Sequence, residues 1–581
     1  MRTNTRVQFG LYDVTAKGDS QPVCAAAQPF CCIQQDLLLE QPPQQVKYGT
    51  LESGQFWMDG SYALFPDQPT GEFWGLWSAG QSGPDGRFES PPVLTVSFSQ
   101  PHSSAGLTFH FYQPTEDWAS ELDIEWFGAS GELLRKARFT PDAVDYYCAC
   151  KVEEYRQVRV SFFAANRPGR YLKLAGLDYG VALTFSGPEV VEAHVLEEVD
   201  LLSSEVRINT LDLTLFNKDG AFSILNSTGV FDVLQHKQKF TVYEELCAGP
   251  DVPPVLHNMG SFYLSEWENT SDTLARFTAV DAVGLLDSAP FDGGVYNTTG
   301  GALAAEILSG YEYWLDPTLA ARPVQGHLPI GTRRSALQQL AFALGAVVDS
   351  SRGDVIRIYP PPVRPSGLIP HSRKFLGGKV SLRPLITGVQ VTGHQYLQGN
   401  TPEELFRDTL AAGQHRITLD APATGITVTG GSLLAAGSNH AVVSVPTAGE
   451  VVLTGKKYQE SKTTALCRPG DLPANAAENI LTVDGATLVG PRDAPAAARR
   501  VLEHYARRYE MSFELLAGEE RLADMLIVES FGGERVRGVL EKMEFDLTGG
   551  FRASVRVVGQ RLNTRAPAYA GEIFTGERSL L

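Results

Sequence analysis

Residues 210–216, TLDLTLF, set Leu211, Leu213 and Leu215 against Asp212 and Thr214. That is the two-residue period of a strand with one buried face. Outward from it, KQKFTVY (237–243) reads as a further strand, and Phe262–Trp267 and Leu274–Val280 read as a hairpin across the turn-prone ENTSDT (268–273). The pattern returns near the C-terminus. Val539, Met543, Phe545 and Leu547 run to a Thr548-Gly549-Gly550 turn, and Phe551, Ala553, Val555 and Val557 leave it on one face. The order strand, KQKFTVY, hairpin begun at Gly260 is answered by helix, MLIVES (525–530), hairpin begun at Gly538. The sequence therefore predicts an internal repeat of a small β-barrel, split by insertions.

Helices are few. Leu337, Leu340, Ala341 and Leu344 share one face over Ser335–Leu344, with Gly345 past the end to stop the helix. Ala302–Leu308 is a shorter amphipathic segment. Asp493 stands where it would cap a helix over Ala494–Tyr509, with Val501, Tyr505 and Tyr509 as its apolar stripe. Thr401-Pro402-Glu403-Glu404 has capping-box spacing with Pro in the first turn, which predicts one more short helix.

At 581 residues and 43% hydrophobic, the chain is long enough for about four packed domains. The net charge of −18, with no Lys/Arg stripe, argues against specific nucleic-acid binding. No apolar run reaches membrane-spanning length, and Met1–Gly10 lacks the apolar core of a secretory signal. Seven cysteines are too few for a disulfide scaffold and are read as thiols formed in a reducing cytoplasm.

Enzyme signatures are missing: there is no HExxH, CxxC pair, GxSxG or calcium loop. GEVVLTGKK (449–457) has a phosphate loop's glycines at the wrong spacing and reads as a strand end. The eleven histidines are scattered, as surface or satisfied core residues. Cys148 and Cys150 would share a strand face as half of a zinc site, but no second half appears, and small buried hydrophobes explain them better. Asp123 and Glu125 also share a face, as glycosidase carboxylates can; charges on an exposed strand are the commoner cause. The sequons at Asn226, Asn269 and Asn297 carry no weight without a secretory signal. The expectation is a protein that is not an enzyme, with no catalytic residue, cofactor or metal.

Residues 45–180 hold Trp57, Trp74, Trp77, Trp118 and Trp126, five of the seven tryptophans. LTVSF (94–98), GLTFHFY (106–112), LDIEWF (122–127) and VRVSFF (158–163) follow at jelly-roll spacing, which predicts an independent β-sandwich inserted in the barrel chain.

Together these stretches resemble the tail-tip hub proteins of long-tailed phages and prophages of Gram-positive bacteria. Residues 201–246 are similar to that family's first barrel, continued by MGSFYLSEW (259–267) and FTAVDAVGLLD (277–287). ALQQLAFALGAVVDSSRGDVIRIY (336–359) resembles its helix-plus-hairpin domain, and the hairpin into VVGQ (557–560) resembles the close of its second barrel. YGTLESGQFWMDGSYALF (48–65), SGPDGRFESPPVLTVSF (82–98) and RPGRYLKLAGLDYG (167–180) resemble a discoidin-like, galactose-binding-like jelly roll.

The resemblance implies a mainly β, multidomain chain: two hub-type barrels forming a pseudo-hexameric ring in a homotrimer, an inserted jelly roll and a small α+β domain. The expected divisions are 1–44 (N-terminal hub segment), 45–183 (jelly roll), 184–290 (first barrel), 291–375 (α+β), 376–396 (start of the second barrel), 397–480 (inserted β-rich domain), 481–562 (remainder of the second barrel) and 563–581 (tail). Since the chain stops soon after the second barrel, any lytic activity is expected in another chain. The implied partners are the distal tail protein and tail tube above, the tape measure protein in the lumen, and receptor-binding or tip proteins below. The implied location is the virion, after assembly in the host cytoplasm. The acidic balance would suit a lumen through which DNA slides without sticking.

Trp74, Trp77 and Trp118 are the candidates for a host cell-wall glycan site, since they fall in irregular segments beside polar residues. Packing against the barrel or a neighbouring subunit competes with sugar binding and weighs more. Trp57 and Trp126, in apolar runs, are assigned to the core. A secreted carbohydrate-active enzyme or a surface adhesin with a carbohydrate-binding module is the alternative reading of the whole.

Overall fold

The computed structural model describes residues 2–27, 48–50, 52–55, 57, 59–61, 63–64, 75–226, 229–247, 255–473, 475–530 and 533–562. Trp74, the 563–581 tail and the end of the 1–44 segment lie outside them. The architecture is mainly β with a few short helices.

Thirteen strands join one curled sheet. They are β1 (Arg2–Tyr12), β2 (Gly180–Ser186), β3 (Val190–Glu198), β4 (Thr210–Phe216), β5 (Lys239–Cys247), β6 (Val255–Ser271) and β7 (Leu274–Val280), then β8 (Gly367–Ile369), β9 (Lys379–Leu382), β10 (Tyr509–Leu516), β11 (Met525–Glu529), β12 (Arg535–Asp546) and β13 (Arg552–Arg561). Their spatial order is β2-β1-β5-β6-β7-β4-β3-β12-β13-β10-β9, with β11 between β8 and β12. Leu211, Leu213 and Leu215 are fully buried, as their alternation requires.

The repeat is visible in this order. In the first half β5-β6-β7-β4 lie side by side with β3 outside β4; in the second, β11-β12-β13-β10 do the same with β9 outside β10. A bulge marks the same place in each hairpin, at Ser265 between Leu264 and Glu266 and at Glu541 between Leu540 and Lys542. Aligned on that bulge, Leu213 matches Phe513 and Phe240 matches Leu526. Gly260 and Gly538 are then two residues out of step. Gly538 is needed because a Cβ there would meet Val557 at 2.6 Å, whereas Gly260 sits at φ 122° beside a shift in the β5–β6 pairing.

The counterpart of β4 is β10, not the helix that the sequence placed there. That helix stops at Tyr505, and Asp493 makes no side-chain cap. Tyr509 opens β10, where Met511, Phe513 and Leu515 alternate into the core. The capping-box spacing at 401–404 also misled. Residues 403–410 form a strand paired with 449–455, because Leu405 and Phe406 pack on a core of Val451 and Leu453. The Gly449–Lys457 stretch is strand, as expected.

Residues 282–358 carry short helices on small sheets over one core. Helix Arg333–Leu344 is capped by Thr332 and ends on Gly345 at φ 65°. Several divisions shift. The β8 strand, expected in the α+β part, belongs to the large sheet, whereas 388–396, expected at the start of the second barrel, lies in a strand (388–398) that pairs with 458–467 and 480–483 under helix Ala494–Tyr505.

The inserted β unit begins earlier than residue 45, since Gln21–Ala25 already pairs with its strand Val93–Ser97. It ends before β2, which returns to the large sheet beside β1. Two long strands, Val93–Phe111 and Asp145–Ala165, pair along their length with breaks in register between Ser97 and Gly106. Its seven strands therefore form a single antiparallel sheet folded over its own core, with Phe109 meeting Phe162 edge-on at 6.1 Å.

Candidate functional site

Of the expected glycan tryptophans, Trp74 lies outside the described residues, and Trp77 and Trp118 are each packed into the inserted unit. Trp77 lies in a two-residue strand, Leu76–Trp77, paired with Lys173 and Leu174, and is only 3% exposed. Its ring faces the Lys173 ammonium at 5.2 Å and meets Tyr112 edge-on at 5.4 Å. No face is left for a sugar. Trp118 is half-buried and packs on the core of the inserted unit. Trp57, assigned to the core from sequence, is 82% exposed, while Trp126 is buried as expected.

A buried ionic cluster instead organises this end. Lys173 Nζ is 2.7 Å from Glu52 and 2.8 Å from Asp117, and all three side chains are buried. Asp117 also receives Arg167 at 2.8 Å and the Thr115 hydroxyl at 2.7 Å. Glu52 accepts the Tyr171 backbone N–H at 2.9 Å. The cluster ties residue 52 to strand Lys173–Asp178 through distant parts of the chain. The sequence signal for it is a single Lys between apolar neighbours in YLKLAGL (171–177).

The other chemical candidates resolve into structure. Arg138 holds Asp123 at 2.6 Å, below the usual carboxylate range, and Lys136 holds Glu125 at 2.9 Å. A glycosidase acid needs the opposite, a raised carboxyl. Burial pushes the Cys148 thiol far up, so it is not poised as a thiolate ligand. Among the described residues no group of three His, Cys, Asp or Glu could hold a metal. His102 is buried between Asp13 and Asp19, each at 2.9 Å, at the root of the inserted unit.

The other feature with functional geometry is the seam between the two repeats. β3 pairs antiparallel with the second half of β12, Val195 opposite Phe545 and Glu198 opposite Lys542. Val195 and Phe545 are fully buried. Arg352 closes the seam, its guanidinium 4.8 Å over the Phe545 ring and its Nε 2.5 Å from Glu197. Burial pushes the Glu197 carboxyl above its usual range, and Arg352 offsets only part of that. Lys542 and Glu198 form an ion pair at 3.5 Å on the rim. The equivalent edges elsewhere, β9 and the second half of β6, pair with no further strand on that side among the described residues; on β9, Val380 and Leu382 are each 58% exposed, whereas on β6 Asn269 is held by the backbone of Phe222 and Ile224.

No family model and no curated protein matches the chain. Among solved structures it is similar to the 43 kDa tail protein of prophage MuSo2 from Shewanella oneidensis (TM-score 0.39, 10% identity, 65% of this chain and 96% of that one). It is also similar to a tail protein from Neisseria meningitidis MC58 (0.39, 9%, 64% and 93%). A prophage tail protein from Listeria monocytogenes EGD-e gives 0.37 at 10% identity, over 66% and 92%.

Proposed function

We propose that this chain is a structural protein of a phage or phage-like tail tip. In this reading it is a hub that forms a homotrimer, terminates the tail tube and closes or gates its lumen. The observation that carries the reading is the duplicated strand order, β5-β6-β7-β4 and β11-β12-β13-β10, joined edge to edge within one sheet. Two like units per chain are what a threefold assembly needs to meet a sixfold tube, through a heterologous contact that closes a ring. The hub-like order of the sequence stretches supports the same reading, and the likeness to solved tail proteins agrees with it without carrying it. The partners are then the distal tail protein and tube, the tape measure protein, and receptor-binding proteins anchored below, all in the virion. The ion-paired Asp123 and Glu125 and the filled environment of Trp77 favour a structural role over carbohydrate chemistry.

A host-surface glycan contact of the inserted unit falls to Trp74 and Trp118, with the exposed Trp57 ahead of them in sequence. Trp118→Ala should then lower binding to host cell walls while leaving the assembly intact. The deciding experiment is native mass determination with imaging of the purified chain. A threefold ring with six similar lobes is expected; a monomer at every concentration, or a twofold dimer, overturns the hub reading.

A further inference from the structure

The seam between the repeats is a template for a contact that the single chain leaves unmade. Among the described residues, each chain presents one copy of each edge that the seam joins with no strand paired to it. β9, the counterpart of β3, pairs only with β10 among the described residues. The second half of β6, the counterpart of the second half of β12, pairs only with β7 among the described residues. Burial follows the difference. Val195 in β3 is 0% exposed and its β9 counterpart Val380 is 58% exposed; Phe545 in β12 is buried, while Asn269 at its place in β6 is partly exposed. An open strand edge with apolar side chains is a ready template for another strand.

We infer that β9 of one copy adds antiparallel to the second half of β6 in the next copy, in the register of the β3–β12 seam. Carrying that register across the bulge alignment sets Val380 opposite Asn269, Ser381 opposite Glu268, Leu382 opposite Trp267 and Arg383 opposite Glu266 of the neighbour. Charge supports the fit. In the seam the outer strand carries the acid, Glu198, and the hairpin strand the base, Lys542. In the open edges the signs are reversed, with Lys379 on β9 and Arg383 just past its end, and Glu266 and Glu268 on β6. Two edges of opposite sign attract, and the reversal sets β9 against pairing with the wrong hairpin, whose Lys542 it would face. Arg383 is already engaged by Glu541 at 2.9 Å and Glu510 at 3.2 Å, so Lys379 and the backbone ladder carry more of the contact than Arg383. The partner is thus a second copy of this chain, bound head to tail. The strand register stands on the repeat; only the closure at three copies rests on the hub reading.

The test is a pair of cysteines on the outward face, Ser381→Cys with Glu268→Cys, in the full-length chain. It is oxidised, and in parallel bridged with a short bifunctional thiol reagent that spans either class of antiparallel pair. Each single variant controls for the native cysteines. The expected result is loss of monomer in the double variant only, into covalent species that end at the trimer. Lys379→Cys with Thr270→Cys, two residues along on the same face, gives an independent result if the first pair fails to fold. Absence of cross-linking in both pairs, with the native mass still trimeric, overturns the strand contact and leaves the ring reading standing. Absence of cross-linking in a chain that is monomeric at all concentrations overturns both. Covalent species that continue past the trimer uphold the strand contact and overturn closure at three.

Discussion

Replacing Lys173 by Met should unlock one end of the inserted β unit, and the size of the effect follows from its partners. Lys173 is fully buried and bridges two buried carboxylates. Removing one member of a buried charge pair costs about 3–5 kcal/mol, because a charge is left uncompensated. Asp117 keeps Arg167 at 2.8 Å, so Glu52 bears most of the loss and the ionic part falls near the lower figure. Loss of the ammonium facing Trp77 at 5.2 Å and Tyr112 at 5.7 Å adds about 1–2 kcal/mol. Met fills much of the vacated volume, which keeps any cavity contribution small. The expected destabilisation is therefore about 4 kcal/mol. Five of the seven tryptophans lie in or beside this unit, so urea unfolding followed by tryptophan fluorescence reports on it. Adding Glu52→Gln removes the stranded charge and should recover about half of the loss. A single-variant cost below about 1 kcal/mol, or a double variant no more stable than the single, would refute the assignment of Glu52 as the group that needs Lys173.

At the seam, Phe545→Ala should cost about 3–5 kcal/mol and Phe545→Leu under about 1.5, read as urea-midpoint shifts by far-UV circular dichroism. His504 is buried on helix Ala494–Tyr505, and desolvation pulls its pKa down to about 4. The unfolded chain takes up that proton first, so stability should fall as pH drops from about 6.5 to about 4, by on the order of 3 kcal/mol; His504→Gln should flatten that part of the profile. Replacing residues 13–179 with an Asn-Gly turn should leave a folded large sheet that assembles in the same number of copies, checked by chromatography and circular dichroism; aggregation of the shortened chain would show that the sheet depends on its insert.

Legibility tracked how local the cause was. Strands such as β4 and the β12–β13 hairpin have one face in a deep core, so their alternation is written into consecutive residues. β8 and β9 are three and four residues long, and their pairing to β11 and β10 is set by partners far along the chain. β10 was hidden because Tyr505 and Tyr509 extend a helical stripe across a boundary set by tertiary pairing. The same competition overrode the capping box at 401–404. At the candidate site, the glycine-rich TGEFWGLWSAG (70–80) suggested an exposed loop. What buries Trp77 is Lys173, itself held by Asp117 and Glu52, 56 and 121 residues away. A window along the sequence contains none of these partners together.

The insert's connection to the sheet explains how one chain can carry both. Tyr12 and Gly180 are direct partners in the β1–β2 ladder, so the insert stands where a hairpin turn would stand. A ladder closed at that pair is indifferent to the length of what lies between, since loop-closure entropy grows only slowly with length. Gly180 is fixed by this geometry: a Cβ there would lie 2.0 Å from the Leu11 carbonyl oxygen. Orientation is then set by contacts at the root. Asp13 and Asp19 grip His102, Lys17 reaches Asp178 at 2.5 Å, and Lys151 of the insert reaches Asp232 of the first repeat at 2.8 Å. Burial works to raise Asp13, but hydrogen bonds from His102 and Thr15 outweigh it and keep the carboxylate charged. These are ionic contacts at the base of an otherwise separate core, with Ala105 the insert's one buried residue in the core of the large sheet among the described residues. The insert is therefore aimed by charge and fastened by the ladder, and its own core can change without altering the edges that β9 and β6 present to a neighbouring copy.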